Sequence, residues 1–327
     1  MKKTISLILS LIIMCGLFAS CGAPQSQSDG KLKIIATVFP EYDWIKNILG
    51  EKADDTQLTL LLDNGIDLHS YQPTADDLIE ISACDVFVYV GGESDGWVDG
   101  ALAQAVNKDM IVINLLDVLG DRVREEEIKE GMQAEEEEDR EAEEDEDPEY
   151  DEHVWLSLKN AAYICKYIAE KLGEADPASK DVFTSNAAAY IEKLNALDKQ
   201  YKSAVDSAET KTMVFGDRFP FRYLADDYSL DYYAAFVGCS AESEASFETI
   251  TFLAGKVKEL GVKNVVILEG SDGKIADTVI KTSGADGVGV VTLNSMQSVT
   301  STEVENGADY LSIMTGNLEN LKIILGC

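Results

Sequence analysis

Only two histidines occur among the 327 residues, His69 and His153. His69 lies in the segment Asp67-Leu68-His69-Ser70-Tyr71-Gln72-Pro73-Thr74, a loop between two α/β units. His153 closes Tyr150-Asp151-Glu152-His153, just ahead of a helical pattern that starts at Leu156. Before His153 runs an unusually acidic stretch, in which 18 of the 28 residues from Glu125 to Glu152 are Asp or Glu. So dense a run buries too little apolar surface to offset its ordering entropy and repels itself, which predicts a solvated, mobile insertion. Two imidazoles, one of them delivered at the end of a carboxylate tract, point to a divalent cation.

Composition limits the partners. The formal net charge is −33 with 46% hydrophobic residues, and the acidic run supplies about half of that charge, opposed only by Lys129 and Arg140. Such a surface repels nucleic acid and anionic lipid headgroups. The apolar content suffices for two medium domains, each with its own core.

The first residues follow a different logic. Lys2 and Lys3 precede an apolar run from Ile5 to Phe18, then come Ala19, Ser20 and Cys21. This reads as a secretory signal over residues 1–20, too short to be taken first as a spanning helix. It resembles a bacterial lipoprotein signal, which implies that Cys21 carries acyl chains and holds the protein on the extracytoplasmic face of the cell membrane. The Ser- and Gln-rich residues 21–30 form a tether. Cys84, Cys165, Cys239 and Cys327 show no CxxC spacing and read as buried thiols.

The elements that must position the histidines alternate regularly. Apolar runs at Leu32–Phe39, Thr56–Leu62, Asp85–Val90 and Met110–Leu116 read as strands, separated by helical patterns. Near-continuous apolar strands of this kind belong to a parallel sheet covered on both faces. From Pro177 to Ala208 there is no further glycine or proline, and apolar residues recur at helical spacing, which predicts one helix of about 45 Å. The second half repeats the alternation, with strands at Lys211–Phe215, Tyr232–Val237, Asn264–Leu268 and Val288–Leu293. The expected fold is α/β, with two similar lobes of mostly parallel four-stranded sheets joined by one long helix. The first lobe covers 31–176, including the insertion 125–152; the linking helix covers 177–208 and the second lobe 209–327. A site then belongs in the cleft where the strand C-terminal ends of the two lobes face each other.

The segment Gly65-Ile66-Asp67-Leu68-His69-Ser70-Tyr71-Gln72-Pro73-Thr74 resembles the "G-x-D-P-H-x-Y-x-P-T" motif of the substrate-binding lipoproteins of bacterial zinc and manganese ABC importers, with Leu68 in place of proline. Asp151 to Ser157 resembles their second histidine motif, and Tyr310 through Leu318 their closing helix. The resemblance implies metal ligation by His69 and His153, and two α/β lobes joined by a long helix. It also exposes two departures. Arg218 stands where the family's third histidine is expected, and Asn294 where a carboxylate is. Arginine has no lone pair to give. Two imidazoles alone make a weak zinc site, so Glu269 and Asp217, at predicted strand ends, are the candidates to complete it. Glu244 is a further candidate, and capping or pairing with Arg218 or Arg222 is the alternative role of all three.

The function implied is a Zn2+ receptor, with Mn2+ as the alternative, that serves an ABC importer permease and its ATPase as a lipid-anchored monomer. Arg218 opens a second reading, a receptor of the same fold for a metal chelate or another anion. A surface interaction lipoprotein is a third. No HExxH, nucleophile elbow or triad spacing points to an enzyme.

Overall fold

Strands β1 (Leu32–Ala36), β2 (Thr56–Leu60), β3 (Val86–Tyr89) and β4 (Ile111–Asn114) pair in the order β2-β1-β3-β4, every pair parallel. Helices α1 (Phe39–Leu49), α2 (Ala75–Ala83) and α3 (Val98–Ala103) make the crossovers, and α4 (Leu115–Leu119) follows β4 directly. The inner strand residues Ile34, Val86, Phe87 and Val88 are completely buried, as a sheet covered on both faces requires. The computed structural model describes residues 30–133, 149–240 and 244–327. The signal segment, Cys21 and residues 134–148 of the acidic run lie outside the described residues.

Two long helices follow, α5 (Leu158–Ala175) and α6 (Lys180–Asp206). The 27 residues of α6 span about 40 Å. The helix begins at Lys180 and not at Pro177, because Asp176 organises a turn of its own: its carboxylate accepts from Ala178 N at 3.1 Å and its carbonyl from Ser179 N at 3.1 Å.

In the second half, β5 (Thr212–Val214) pairs with β7 (Asp231–Tyr233), and β9 (Asn264–Leu268) with β10 (Gly289–Leu293). A parallel bridge between Phe215 and Val266 joins the two pairs. The predicted strand Tyr232–Val237 is divided. Its end forms β8 (Phe236–Val237), which leaves β7 to pair with β6 (Arg218–Phe219). Ala235 N donates to Asp217 O at 3.1 Å at the switch. Helices α7 (Arg222–Tyr228), α8 (Phe247–Leu260), α9 (Lys274–Ser283), α10 (Ser301–Glu305) and α11 (Tyr310–Leu325) complete the chain.

The acidic run departs from the expectation at both ends. Glu125 and Tyr150 form an antiparallel bridge, Glu126 N donates to Glu149 O and Asp151 N to Arg124 O, both at 2.9 Å. Gln133 bridges to Phe236, and Asp151 and Glu152 are buried. At these described ends, the backbone partners and the Tyr223 and Tyr232 hydroxyls, bonded to Asp151 O and Glu127, outweigh the self-repulsion on which the expectation of a mobile insertion rested.

One core cluster runs from Ile34 to Leu325 and includes residues of both sheets and of α5 and α6. Asp43 on α1 ties these layers, accepting from Tyr190 Oη on α6 and Tyr310 N on α11, both at 3.2 Å. Nearby, Glu41 lies fully buried and accepts from Thr37 N at 2.9 Å, Thr37 Oγ1 at 3.1 Å and Val38 N at 3.3 Å. Burial, helped by the neighbouring Asp95, pushes its carboxyl from the ordinary 4.5 up to about 8. A folded-state value above the unfolded one contributes stability that is complete below pH 4.5 and fades as the pH rises through 8. Glu41→Gln keeps the acceptor and removes the ionisation. Wild type is therefore expected to lose stability relative to this variant by about 1.4 kcal/mol per pH unit across the window, which urea unfolding at its two ends measures.

Candidate metal centre

His69 sits in a one-turn helix, Leu68–Ser70, whose preceding residue Asp67 accepts the His69 N–H at 3.1 Å. Leu68, where the motif has proline, is buried and anchors the turn. The loop's exit is fixed by the capping box of Thr74 and Asp77 at the start of α2, and Tyr71 Oη donates to Asp77 at 2.9 Å. His153 is held more tightly. Its N–H and Nδ1 both meet Asp151 Oδ1, at 2.9 and 3.1 Å. Tyr223 Oη donates to Asp151 O at 2.7 Å, Trp155 Nε1 to Ser295 O at 2.8 Å, and Tyr310 Oη to Trp155 O at 2.6 Å.

These supports aim the two rings at each other. His69 Nε2 and His153 Nε2 are 3.2 Å apart. The far nitrogens are occupied, His69 Nδ1 by Ser94 Oγ at 2.8 Å and His153 Nδ1 by Asp151. That arrangement, an outward nitrogen fixed by an oxygen partner, leaves Nε2 as the ligand atom. Two nitrogens at about 2.0–2.1 Å from one tetrahedral zinc ion lie about 3.3 Å apart. The pair therefore stands at the spacing of a shared cation.

Cys239 Sγ completes the cluster. One ligand atom each from His69, His153 and Cys239 lie within 4.8 Å of one another, the one such group of three His, Cys, Asp or Glu among the described residues. Cys239 follows β8, and Gly238 before it packs against the His153 ring; a Cβ there would fall 3.0 Å from His153 Cε1 and 3.0 Å from Phe219 O. Gln297, 3% exposed, brings its Nε2 to 2.9 Å from His153 Nε2, while its Oε1 is buried without a partner. Two imidazoles and a thiol, with the Gln297 amide nitrogen against His153, form a donor set suited to a metal ion.

The electrostatics agree. Burial, then the charge of His153, lowers His69 to about 3. Burial opposes charge on His153 too, but Asp151 and Glu152 outweigh it and raise its value. Burial pushes Glu152, whose Oε2 is 3.4 Å from His69 Nδ1, up to about 7.

None of the other predicted ligands belongs to that group of three. Glu269 directs both carboxylate oxygens at Ser295, 2.7 Å to its N and 2.6 Å to its Oγ. Asp217 accepts from Arg218 N at 2.9 Å and Leu268 N at 3.2 Å. Glu244 is exposed. Asn294 accepts from Met296 N at 2.8 Å and is itself held by Asn317. Glu269 and Asn294 thereby shape the loop that presents Gln297, with Met296 in the left-handed region at φ +63°. Arg218 pairs with Asp67 at 2.8 Å and donates to Ser240 O at 3.2 Å, so its guanidinium is committed inside the site instead of awaiting an anion. Cys239 and Gln297 were the residues missed. Both follow strand ends, the signal that had singled out Asp217 and Glu269.

A cavity of about 970 Å³ is lined in part by Gly92, Glu125, Glu126 and Glu127. Gly92 has φ +86°, and a Cβ on it would lie 2.4 Å from Glu152 Oε1. Gly92→Ala is expected to destabilise the fold by roughly 1–3 kcal/mol. Gly100→Ala on α3, where a Cβ meets nothing within 4 Å, is expected to be neutral or slightly stabilising. Denaturant midpoints of the two variants check the contrast.

The sequence model of the family described as "Zinc-uptake complex component A periplasmic" matches residues 34–323. The chain is 31% identical over 327 residues to the zinc-binding protein AdcA of Streptococcus pyogenes serotype M3, covering 99% of this chain and 62% of that protein. It therefore spans about three fifths of the length of that relative. It is 32% identical over 312 residues to the high-affinity zinc uptake system protein ZnuA of Bacillus subtilis, covering 95% of this chain and 93% of that one. The crystal structure of the Zn(II)-bound ZnuA-like domain of Streptococcus pneumoniae AdcA superposes with a TM-score of 0.70 at 30% identity, covering 91% of this chain and all of that one.

Proposed function

The chain belongs to the zinc-uptake complex component A family, and from that premise we propose that it is an extracytoplasmic receptor that binds Zn2+ and delivers it to the permease and ATPase of an ABC importer. Cys21 would carry the lipid anchor. The observation that carries the reading is the pair of opposed Nε2 atoms 3.2 Å apart, each with its other nitrogen fixed from behind. The ion is cargo, so the centre needs to hold it and let it go, with no group placed for chemistry on it.

His69, His153 and Cys239 are the donors, with the Gln297 amide beside them, its Nε2 2.9 Å from His153 Nε2. They take the place of the Glu269 and Asp217 set, whose oxygens are engaged by main-chain and hydroxyl donors. Glu126, which accepts Cys239 N, and its neighbours Glu125 and Glu127 place carboxylates beside the Cys239 loop and raise the local cation concentration there.

Calorimetric titration of Zn2+ into metal-stripped protein tests the reading. One tight site is expected, abolished by His153→Ala and weakened about 100-fold or more by His69→Ala. A tight site that survives His153→Ala contradicts it.

The pH dependence follows from the protons that the ion must displace. Burial, together with Asp151, Glu126 and Glu152, holds the Cys239 thiol well above its usual range, and His153 is raised. Both shifts favour the protonated forms that compete with zinc, so affinity falls as the pH falls. Titrations in buffers of different ionisation enthalpy are expected to report net proton release on binding, increasing as the pH is lowered.

A further inference from the structure

We infer that Cys239 decides which divalent ion the centre accepts: as a thiolate it completes a nitrogen and sulfur donor set that takes Zn2+ and rejects Mn2+. The inference rests on the receptor reading above and deepens it.

The carboxylates around the pair that would suit manganese are held by other partners or lie away from the shared space. Asp67 gives Oδ2 to Arg218 at 2.8 Å and Oδ1 to His69 N at 3.1 Å. Asp151 meets His153 on the Nδ1 side, away from the shared space. Glu152 accepts Ser94 N at 2.9 Å and lies by His69 Nδ1. Glu269 and Asp217 serve Ser295, Arg218 and Leu268. Cys239 Sγ is the donor grouped with the two imidazoles within 4.8 Å, and Asp67 Oδ1, 3.9 Å from His69 Nε2, is held by His69 N and, at 3.4 Å, by Gln297 Nε2. Thiolate favours zinc and softer ions, whereas manganese is matched to carboxylate, carbonyl and water.

The thiol is also held in place. Three restraints act on consecutive residues of its loop. Gly238 lies against the His153 ring, where a Cβ would be 3.0 Å from Cε1. Cys239 N donates to Glu126 Oε1 at 3.2 Å. Ser240 O accepts from Arg218 Nη1 at 3.2 Å, while Nη2 of the same guanidinium bonds Asp67 in the His69 loop. Arg218 thus links the loop of one imidazole to the loop of the thiol, and Glu126 secures the thiol from the acidic strap. On binding, the S–H bond gives its proton to solvent as the sulfur–metal bond forms; no oxidant or reductant enters.

The test uses the full chain, stripped of metal, with Co2+ as the spectroscopic probe and Zn2+ against Mn2+ in competition. Only binding that His153→Ala removes is counted, which sets aside ions on the acidic run. The expected result is thiolate-to-cobalt charge-transfer absorption in the near ultraviolet, present in wild type and lost in Cys239→Ser. Cys239→Asp is expected to relax the preference for Zn2+ over Mn2+ by about 10-fold or more. Cobalt bound by wild type without that absorption overturns the inference and leaves the receptor reading standing, as does an unchanged preference in a folded Cys239→Asp. Wild type that takes up neither Co2+ nor Zn2+ overturns both.

Discussion

Two imidazoles tilted toward each other, one fully buried and one mostly so, cannot both be charged. With His69 Nε2 and His153 Nε2 3.2 Å apart, a second proton would set like charges together where little water screens them. The structure answers by making the pair unequal. Asp151 supports a proton on His153, while burial and the charge of His153 keep His69 neutral. What remains is a single position between two nitrogens that one cation fills, a proton or a metal ion. The surrounding supports, from Ser94 behind one ring to Asp151 behind the other, preserve that position.

The rest of the fold keeps the two rings from parting. Trp155, Tyr223 and Tyr310 fix the His153 turn through hydrogen bonds to main-chain carbonyls on both sides of the cleft. The core cluster continues from the first sheet through α5 and α6 to α11, so the two sheets share an interior. At the surface, the strap formed by residues 124–133 crosses to the second half. Glu127 bonds Tyr232 Oη at 2.9 Å and Arg222 at 3.0 Å, and Gln133 accepts Ser246 N at 2.8 Å. A run whose composition reads as solvent-exposed thereby braces the Cys239 loop.

The strands, the crossovers and the long helix could be read from apolar periodicity because burial on both faces leaves that pattern in the chain. Both histidines could be read because there were only two and each closed a distinctive segment. The thiol could not, since a single cysteine in a loop looks the same whether it fills a gap or faces a ligand. Gln297 was hidden for another reason: Asn294, three residues earlier, stood in the expected register, and only the left-handed Met296 turns the loop so that the later side chain arrives. Asp217 and Glu269 stood at strand ends, as ligands do, yet nearby N–H and hydroxyl donors claimed them. Which donor captures a carboxylate is a matter of a few ångströms that sequence spacing does not encode.

The central claim is that one ion bridges His69 and His153. Anomalous scattering at the zinc edge from crystals grown with Zn2+ tests it most directly. The account predicts one strong peak between the two rings, about 2.0–2.1 Å from each Nε2 and about 2.3 Å from Cys239 Sγ. Peaks confined to the carboxylates of the acidic run, with the space between the imidazoles empty, would contradict it.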